Sequence, residues 1–165
     1  QGQKIPMVEE TQIDLPITAF IPGDWISNNE EKINAYRDAT NCDSSEQLIN
    51  LTLSWVDRYG NIPKAVESLI DIMKLKLLAK KCGISRIKQE KANILLESNM
   101  EEATFRFLRK GLAKHLHSRV IYNKETNVNN VTFRGLGVLD HNKLIGELQE
   151  WLFRMSTQVD EMNGN

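Results

Sequence analysis

The chain has 165 residues, a formal net charge of −1 at neutral pH and a hydrophobic fraction of 41%. A chain of this size buries roughly 70% of the surface that its unfolded form exposes, so it can fold without disulfides or metals. The ordinary hydrophobic fraction argues against a disordered chain. The nearly balanced charge argues against a dedicated nucleic-acid-binding protein, which normally has a strong basic excess.

Two cysteines, Cys42 and Cys82, occur without any motif spacing. This pattern indicates a reducing compartment rather than a disulfide framework, so we expect a cytoplasmic protein. No apolar stretch approaches the roughly 20 residues that span a bilayer, and we expect no membrane partner. The sequence opens on Gln rather than Met, from which we expect a segment of a longer protein.

The first part of the chain is predicted to be a linker followed by a strand. Residues 1–10 are polar, and from Thr11 to Ile21 apolar and other residues alternate. A period of two predicts a half-buried strand. Pro16 lacks an N–H donor, which places this strand at a sheet edge, and Pro22-Gly23 ends it.

Two helices are predicted next. Ser27 and Glu30 form a capping box that predicts a helix to about Ala39, with Ile33 and Tyr36 facing inward. A second helix is predicted from about Ser45 to Tyr59, started by Asp43 with Glu46 or by Ser44 with Gln47. At 100° per residue, its apolar residues cluster on one broad face, and these are Leu48, Ile49, Leu51, Trp55, Val56 and Tyr59.

The second half is predicted to alternate hairpins and helices. Gly60 is predicted to end the second helix in the left-handed conformation, Asn61 to cap a long third helix, and Gly83 to end that helix. Later elements are predicted as strands 84–87 and 92–96, a helix from Ser98 to about Leu116, strands 119–122 and 131–133, and a helix from Asp140 to about Thr157. We therefore predict an α+β domain over residues 11–157, with about five helices, a small, mostly antiparallel sheet and a frayed tail over residues 158–165.

No catalytic, cofactor-binding or metal-binding residues are predicted. The sequence has no phosphate-binding loop, and the bare GxG at Gly135 to Gly137 lacks the rest of a dinucleotide-binding motif. The histidines at 115, 117 and 141 do not provide three convergent ligands. No serine or cysteine has the setting of a nucleophile.

The sharpest candidate site is Asp57-Arg58-Tyr59-Gly60, at the end of the second helix. Asp57 is predicted to be exposed in the last turn, where it faces the negative end of the helix dipole. One interpretation is structural, with Asp57 accepting bonds from first-turn amides of the next helix and Arg58 neutralising last-turn carbonyls. The other is an exposed charged pair that docks against a partner. The alternative function is a nucleic-acid-binding accessory module. In that case a separate basic group would contact phosphate, and its residues are Lys80, Lys81, Arg86 and Lys88.

A group of segments between residues of about 11 and 97 matches a known family, and these are Ile13 to Pro16, Ala19 to Pro22, Trp55 to Gly60 with Ile62-Pro63, Leu69, Leu75, Leu77 and Ala79 to Ile84. On these residues the chain resembles the C-terminal domain of bacterial transcription-repair coupling factors. The later segment Val131 to Leu139 is similar to cyanobacterial members in particular.

The resemblance implies a large parent protein, an ATP-dependent DNA translocase that removes stalled RNA polymerase and recruits excision repair. ATP and Mg²⁺ would belong to the parent's motor, and this fragment would need no cofactor. In the family, this C-terminal module folds back on the N-terminal module and masks the surface that recruits the damage-recognition ATPase. The resemblance assigns interdomain docking to Asp57 and Arg58, with Asn61 nearby. Ser54 stands where many members carry an acid.

Overall fold

The structure, a computed structural model, describes residues 4–164. Within that range the elements, in chain order, are β1 (Gln12–Asp14), α1 (Asn29–Thr40), α2 (Ser45–Tyr59), α3 (Lys64–Lys81), β2 (Arg86–Glu90), β3 (Asn93–Glu97), α4 (Glu102–Arg109), a 3-10 helix (Lys114–Arg119), β4 (Val120–Asn123), β5 (Asn130–Phe133), a second 3-10 helix (Leu136–Val138) and α5 (His141–Met162). None of the described helices is long and apolar enough to cross a membrane.

The five strands form one mixed sheet in the order β1-β2-β3-β5-β4. The edge strand β1 runs parallel to β2, with Ile13 opposite Ile87, and the other three pairings are antiparallel. The predicted α+β class and the mostly antiparallel sheet are therefore confirmed.

Contacts divide the chain into two compact units, one comprising residues up to Leu15 and from Leu78 onward, the other Pro16–Leu77. The first contains the sheet, whose buried residues include Ile87, Ile94 and Leu96. Helix α5 buries a stripe at helical spacing, which includes Leu144, Leu148, Trp151, Leu152 and Met155. The Trp151 ring packs edge-on against Phe133, with 4.9 Å between the ring centroids.

The unit Pro16–Leu77 has its own apolar core, built where α1, α2 and the first part of α3 meet. Trp55 of α2 is 3% exposed, and Trp25 packs against it in a T-shaped arrangement at 6.0 Å. Trp25 also contacts the Tyr59 ring at 5.4 Å. The Tyr36 hydroxyl accepts a hydrogen bond of 2.7 Å from the Ile21 backbone N–H. These contacts fix the last turn of α2.

The strand predicted from Thr11 to Ile21 is wrong beyond Asp14. Burial still alternates as far as Phe20, but the backbone bends at Pro16, and the segment has no sheet partner after Asp14 among the described residues. Pro16 has no N–H to donate, which is consistent with the ladder ending there. The period of two matches the alternating burial, but a strand also needs a neighbouring strand with which to pair.

The cap of α1 and the inward placement of Ile33 were also predicted wrongly, whereas Tyr36 packs against the core as predicted. Asn28, not Ser27, accepts the capping bond from the Glu31 N–H, at 3.0 Å. Ile33 is 56% exposed, whereas Ala35 and Ala39 are buried. The buried side chains of α1 are small, so the large apolar side chain of Ile33 did not indicate which face of the helix is covered.

Two further boundaries differ from prediction. The helix expected from Ser98 to Leu116 is α4 followed by a 3-10 helix. Gly111 lies in the turn between them and packs so closely on the Arg154 carbonyl that a Cβ would clash. The Ser98 hydroxyl donates to the Gly83 carbonyl instead of capping α4.

Helix α5 continues to Met162, so most of the predicted tail is helical, and Asp160 in this part forms an ion pair with Lys81. Residues 1–3 of the predicted linker and residue 165 of the predicted tail lie outside the described residues.

Candidate docking corner at the end of helix α2

The corner is formed where α2 ends and α3 begins. The Gly60 N–H donates to the Val56 carbonyl at 2.9 Å and closes the last turn of α2. Gly60 has φ 87° and ψ −158°, a region that only glycine occupies readily. The positive φ agrees with the predicted stop, but ψ lies outside the left-handed helical region. The Pro63 carbonyl then accepts from the Val66 and Glu67 N–H groups and starts α3.

The four residues predicted for docking are all exposed and belong to this one unit. Ser54, Asp57 and Arg58 lie three and four residues apart on α2, so they are neighbours on the helix surface. Asn61 lies in the connecting turn. Among residues 4–164, the Asn61 side chain makes no hydrogen bond to the first turn of α3, so it is not the predicted cap.

Arg58 is positioned by two contacts. Its Nη2 lies 3.0 Å from Oε1 of Glu31 on α1, and its guanidinium lies 5.2 Å from the centroid of the Tyr59 ring. Its partner is therefore a carboxylate of the neighbouring helix rather than the last-turn carbonyls of α2. The Arg58 and Glu31 side chains are 62% and 44% exposed, so solvent screens the pair and its contribution to stability is small.

Asp57 presents an exposed carboxylate without a partner in the described part of the chain. The structural interpretation predicted bonds from the first-turn amides of the next helix, and none is present among residues 4–164. A carboxylate in the last helical turn is unfavourable by a few tenths of a kcal/mol. Nothing in its unit offsets this, which leaves Asp57 available to a cation on another surface.

A feature that the sequence analysis missed lies beside this carboxylate. Ile49, Leu53 and Val56 are 54%, 62% and 41% exposed. The wheel placed Ile49 and Val56 on the buried face, which is wrong, because α2 is covered only over the arc of Leu48, Leu51, Trp55 and Tyr59. The sequence did contain one sign of this exposed apolar surface, because Leu53 is an apolar residue on the polar side of the helical wheel. We call Ile49, Leu53 and Val56 the α2 apolar stripe.

The basic residues predicted for phosphate contact belong to the other unit, and three of them are paired. Lys81 lies 2.8 Å from Asp160, Arg86 contacts Asp14, and Lys88 lies 3.4 Å from Glu97. Lys80 is exposed and has no ion-pair partner within the range that the structure describes. The local positive charge is therefore largely neutralised.

Neither cysteine is a thiolate at neutral pH. Burial raises the pKa of Cys82 from 9.0 to about 12, and its Sγ lies 3.8 Å from the Leu152 carbonyl oxygen. Burial, followed by the charges of Asp38 and Asp43, also raises the pKa of Cys42. Both cysteines are free. No group of three or more His, Cys, Asp or Glu residues that could hold a metal occurs among the described residues.

The chain is similar to known proteins over about half of its length. The transcription-repair-coupling factor of Bacillus subtilis (strain 168) is 33% identical over 92 residues, which are 56% of this chain and 8% of that protein. The transcription-repair-coupling factor of Staphylococcus aureus (strain USA300) is 31% identical over 83 residues, which are 50% and 7%. The chain thus spans less than a tenth of the length of these relatives.

The fold also matches a solved structure, the crystal structure of the C-terminal domain of transcription-repair coupling factor. The TM-score is 0.63, with 20% sequence identity, over 90% of this chain and 96% of that one. The model of the TRCF domain family matches residues 15–106, a range that includes the whole of α2 and the corner. The chain therefore belongs to the TRCF domain family, and its fold is that of the C-terminal domain of a transcription-repair coupling factor.

Proposed function

We propose that this chain is the regulatory module of a transcription-repair coupling factor, and that it masks the N-terminal repair-protein-binding module of the same protein by intramolecular docking. The proposed parent is a cytoplasmic, ATP-dependent DNA translocase that displaces stalled RNA polymerase and recruits excision repair. ATP and Mg²⁺ belong to its motor. In the proposed closed state, the masked surface is the one that recruits the damage-recognition ATPase.

The observation that carries this proposal is the unpaired Asp57 carboxylate beside the positioned Arg58. Arg58 contacts Glu31 and the Tyr59 ring, and these contacts favour one orientation of its guanidinium when a partner approaches. Asp57 lies in an unfavourable electrostatic position until a partner supplies a cation. A fixed charged pair of this kind provides orientation and specificity more than bulk affinity.

The energy that this regulation needs is small. A tenfold to hundredfold shift between closed and open states requires about 1.4 to 3 kcal/mol. One or two charged contacts across the corner can supply this once docking removes them from water. Ser54 is uncharged, so the corner carries a single acid on this part of α2.

The test is a double variant of the full-length parent, Asp57→Ala with Arg58→Ala. Loss of docking should expose the repair-protein site and raise the affinity for the damage-recognition ATPase at least tenfold. Glu150→Ala with Arg154→Ala is the matched control, since these residues form an exposed ion pair of 2.8 Å on α5. An unchanged affinity in the corner variant, or an equal rise in the control, would contradict the proposal.

We propose no catalytic activity for the fragment itself. Among the described residues it has no metal-binding cluster, and both thiols are protonated at neutral pH. The direct test is ATP hydrolysis by the fragment alone, for which we expect no rate above the buffer background.

A further inference from the structure

The α2 apolar stripe is an unusual surface for a chain with a well-formed core. Ile49, Leu53 and Val56 are four and three residues apart, so they project within an arc of about 60°. All three side chains are large and aliphatic, and each is more than two-fifths exposed. Scattered exposed apolar residues need no explanation, but aligned ones mark interaction surfaces.

An acidic edge runs along one side of this stripe. Glu46 and Asp57 project about 60° and 80° round the helix from Ile49, and Asn50 projects just beyond them at about 100°. Both acids are exposed, and neither has an ion-pair partner among residues 4–164. Arg58 is the one basic residue of α2, and it projects about 180° from Ile49, towards Glu31.

We propose that the α2 apolar stripe and its acidic edge bind a basic amphipathic helix, whose aliphatic face covers Ile49, Leu53 and Val56 and whose Lys or Arg residues pair with Glu46 and Asp57. This inference rests on the docking function proposed above, because it names the chemistry of the surface that docks there. It enlarges the site from a charged corner to three turns of α2. Amphipathic helices bind apolar surfaces through side chains three, four and seven residues apart, which is also the spacing of Ile49, Leu53 and Val56.

Charge complementarity selects this occupant over a second copy of the chain. Two copies paired antiparallel through α2 would bring their acidic edges to the same side of the interface, where like charges repel. The α2 helix of a second copy would also bring no cation to Asp57, since its Arg58 points away from the stripe. A basic helix satisfies both the apolar side chains and the carboxylates.

Two binding measurements on the 165-residue chain test the inference. The first uses a synthetic helical peptide of leucine and lysine, with the leucines on one face, and a matched peptide in which glutamate replaces lysine. Calorimetry should show at least tenfold tighter binding of the lysine peptide. Glu46→Lys with Asp57→Lys should reverse this preference. Equal binding of both peptides would overturn the inference.

The apolar side chains are tested separately. Leu53→Ser with Ile49→Ser should weaken binding of the lysine peptide at least tenfold, whereas Val138→Ser should not. Val138 is a matched control because it is 73% exposed and lies in the other unit. Circular dichroism should show the same helix content in all variants, since the altered side chains are exposed. Equal weakening by Val138→Ser would overturn the inference.

The second measurement uses the N-terminal module of the same parent as the binding partner, and it separates the two proposals. If Asp57→Ala with Arg58→Ala weakens its binding but the stripe variant does not, the docking function holds and the stripe inference fails. If the N-terminal module does not bind at all but the lysine peptide binds through the stripe, the docking function fails and the chemistry inferred for the stripe holds.

Discussion

Arg58 of α2 is joined to Glu31 of α1 by an ion pair of 3.0 Å, and both side chains are substantially exposed. The pair favours one orientation of the Arg58 guanidinium without adding much stability. The neighbouring Asp57 is left to face outward alone. Five measurable consequences follow, some from this corner and some from the other unit.

The coupling energy between Arg58 and Glu31 should be small. A double-mutant cycle with Arg58→Ala and Glu31→Ala should give about 0.2 to 0.5 kcal/mol in the free energy of unfolding, because the pair is exposed. The coupling should vanish in roughly 1 M salt, where the screening length is about 3 Å. The exposed pair of Arg106 and Glu102 on α4 is a suitable comparison. A coupling well above 1 kcal/mol would contradict this view.

Asp57→Asn should stabilise the chain while weakening docking. Removing the charge from the last turn of α2 relieves its repulsion by the helix dipole, which is a gain of about 0.3 kcal/mol or more. Urea unfolding of the 165-residue chain measures this change. Glu46→Gln is the control of opposite sign, because Glu46 lies in the first turn of α2, where an acid is favourable. Destabilisation by Asp57→Asn would show that the carboxylate has a structural role.

Gly60 should not tolerate a side chain, even though there is room for one. No heavy atom lies within 4 Å of a Cβ built on Gly60, so the penalty comes from φ 87° and ψ −158° alone. Gly60→Ala should cost about 1 to 3 kcal/mol of unfolding free energy. Gly60→Asn should cost a similar amount, because asparagine favours the left-handed helical region, which this ψ lies outside.

Gly146 is the matched control for that experiment. It lies within α5, and a Cβ there also meets nothing within 4 Å. Because its backbone is helical, Gly146→Ala should stabilise the chain by about 0.5 to 1 kcal/mol. Thermal or urea unfolding of both variants compares the two positions directly. Equal effects at both glycines would contradict the role of φ at Gly60.

Cys82 should make the chain less stable at alkaline pH. The folded state raises its pKa from 9.0 to about 12, so the unfolded chain loses this proton first as the pH rises. The contribution is fully present below pH 9 and is lost between pH 9 and about 12. At about pH 10 the loss relative to neutral pH should be about 1.4 kcal/mol.

The measurement is urea unfolding at neutral pH and at about pH 10, for the native chain and for Cys82→Ala. The variant has lower stability at both pH values because it loses packing, but its stability should fall less on going to alkaline pH. The difference between the two pH-dependent losses of unfolding free energy gives the contribution of the Cys82 thiol, because the lysines and tyrosines are the same in both chains. Parallel pH profiles would contradict the assignment.

Binding to DNA should be weak, which addresses the alternative of a nucleic-acid-binding module. If Lys80, Lys81, Arg86 and Lys88 each contacted a phosphate, the logarithm of affinity would fall with a slope of about −0.9 per contact against the logarithm of salt concentration. Three of these residues already pair with carboxylates, so we expect a slope nearer one contact. A slope near four contacts, abolished by replacing these residues, would revive the alternative.

The sequence predicted most of the helices and both hairpins because these elements carry local signals. Ser44 caps α2 and Asp140 caps α5 through their side chains, as two of the capping patterns indicated. Gly60 and Gly83 both have positive φ at the ends of helices. The position and exposure of Asp57 also followed from the period of α2, which is a local property.

What the sequence left undecided was which side of each element would be covered. Ile33, Ile49 and Val56 are apolar and were expected inside, yet all three are exposed. Burial depends on whether another element packs against that arc, and periodicity contains no such information. The parallel pairing of β1 with β2 is of the same kind, because it joins residues more than seventy positions apart.

The sequence by itself determined the α+β class, the corner at the end of α2 and its charged residues, since helix period, caps and turn residues act over a few positions. Only the tertiary structure decided that Arg58 pairs with Glu31, that Asp57 has no partner in the described chain, and that the α2 apolar stripe is uncovered. These are contacts between elements distant in sequence, and they depend on how the elements pack.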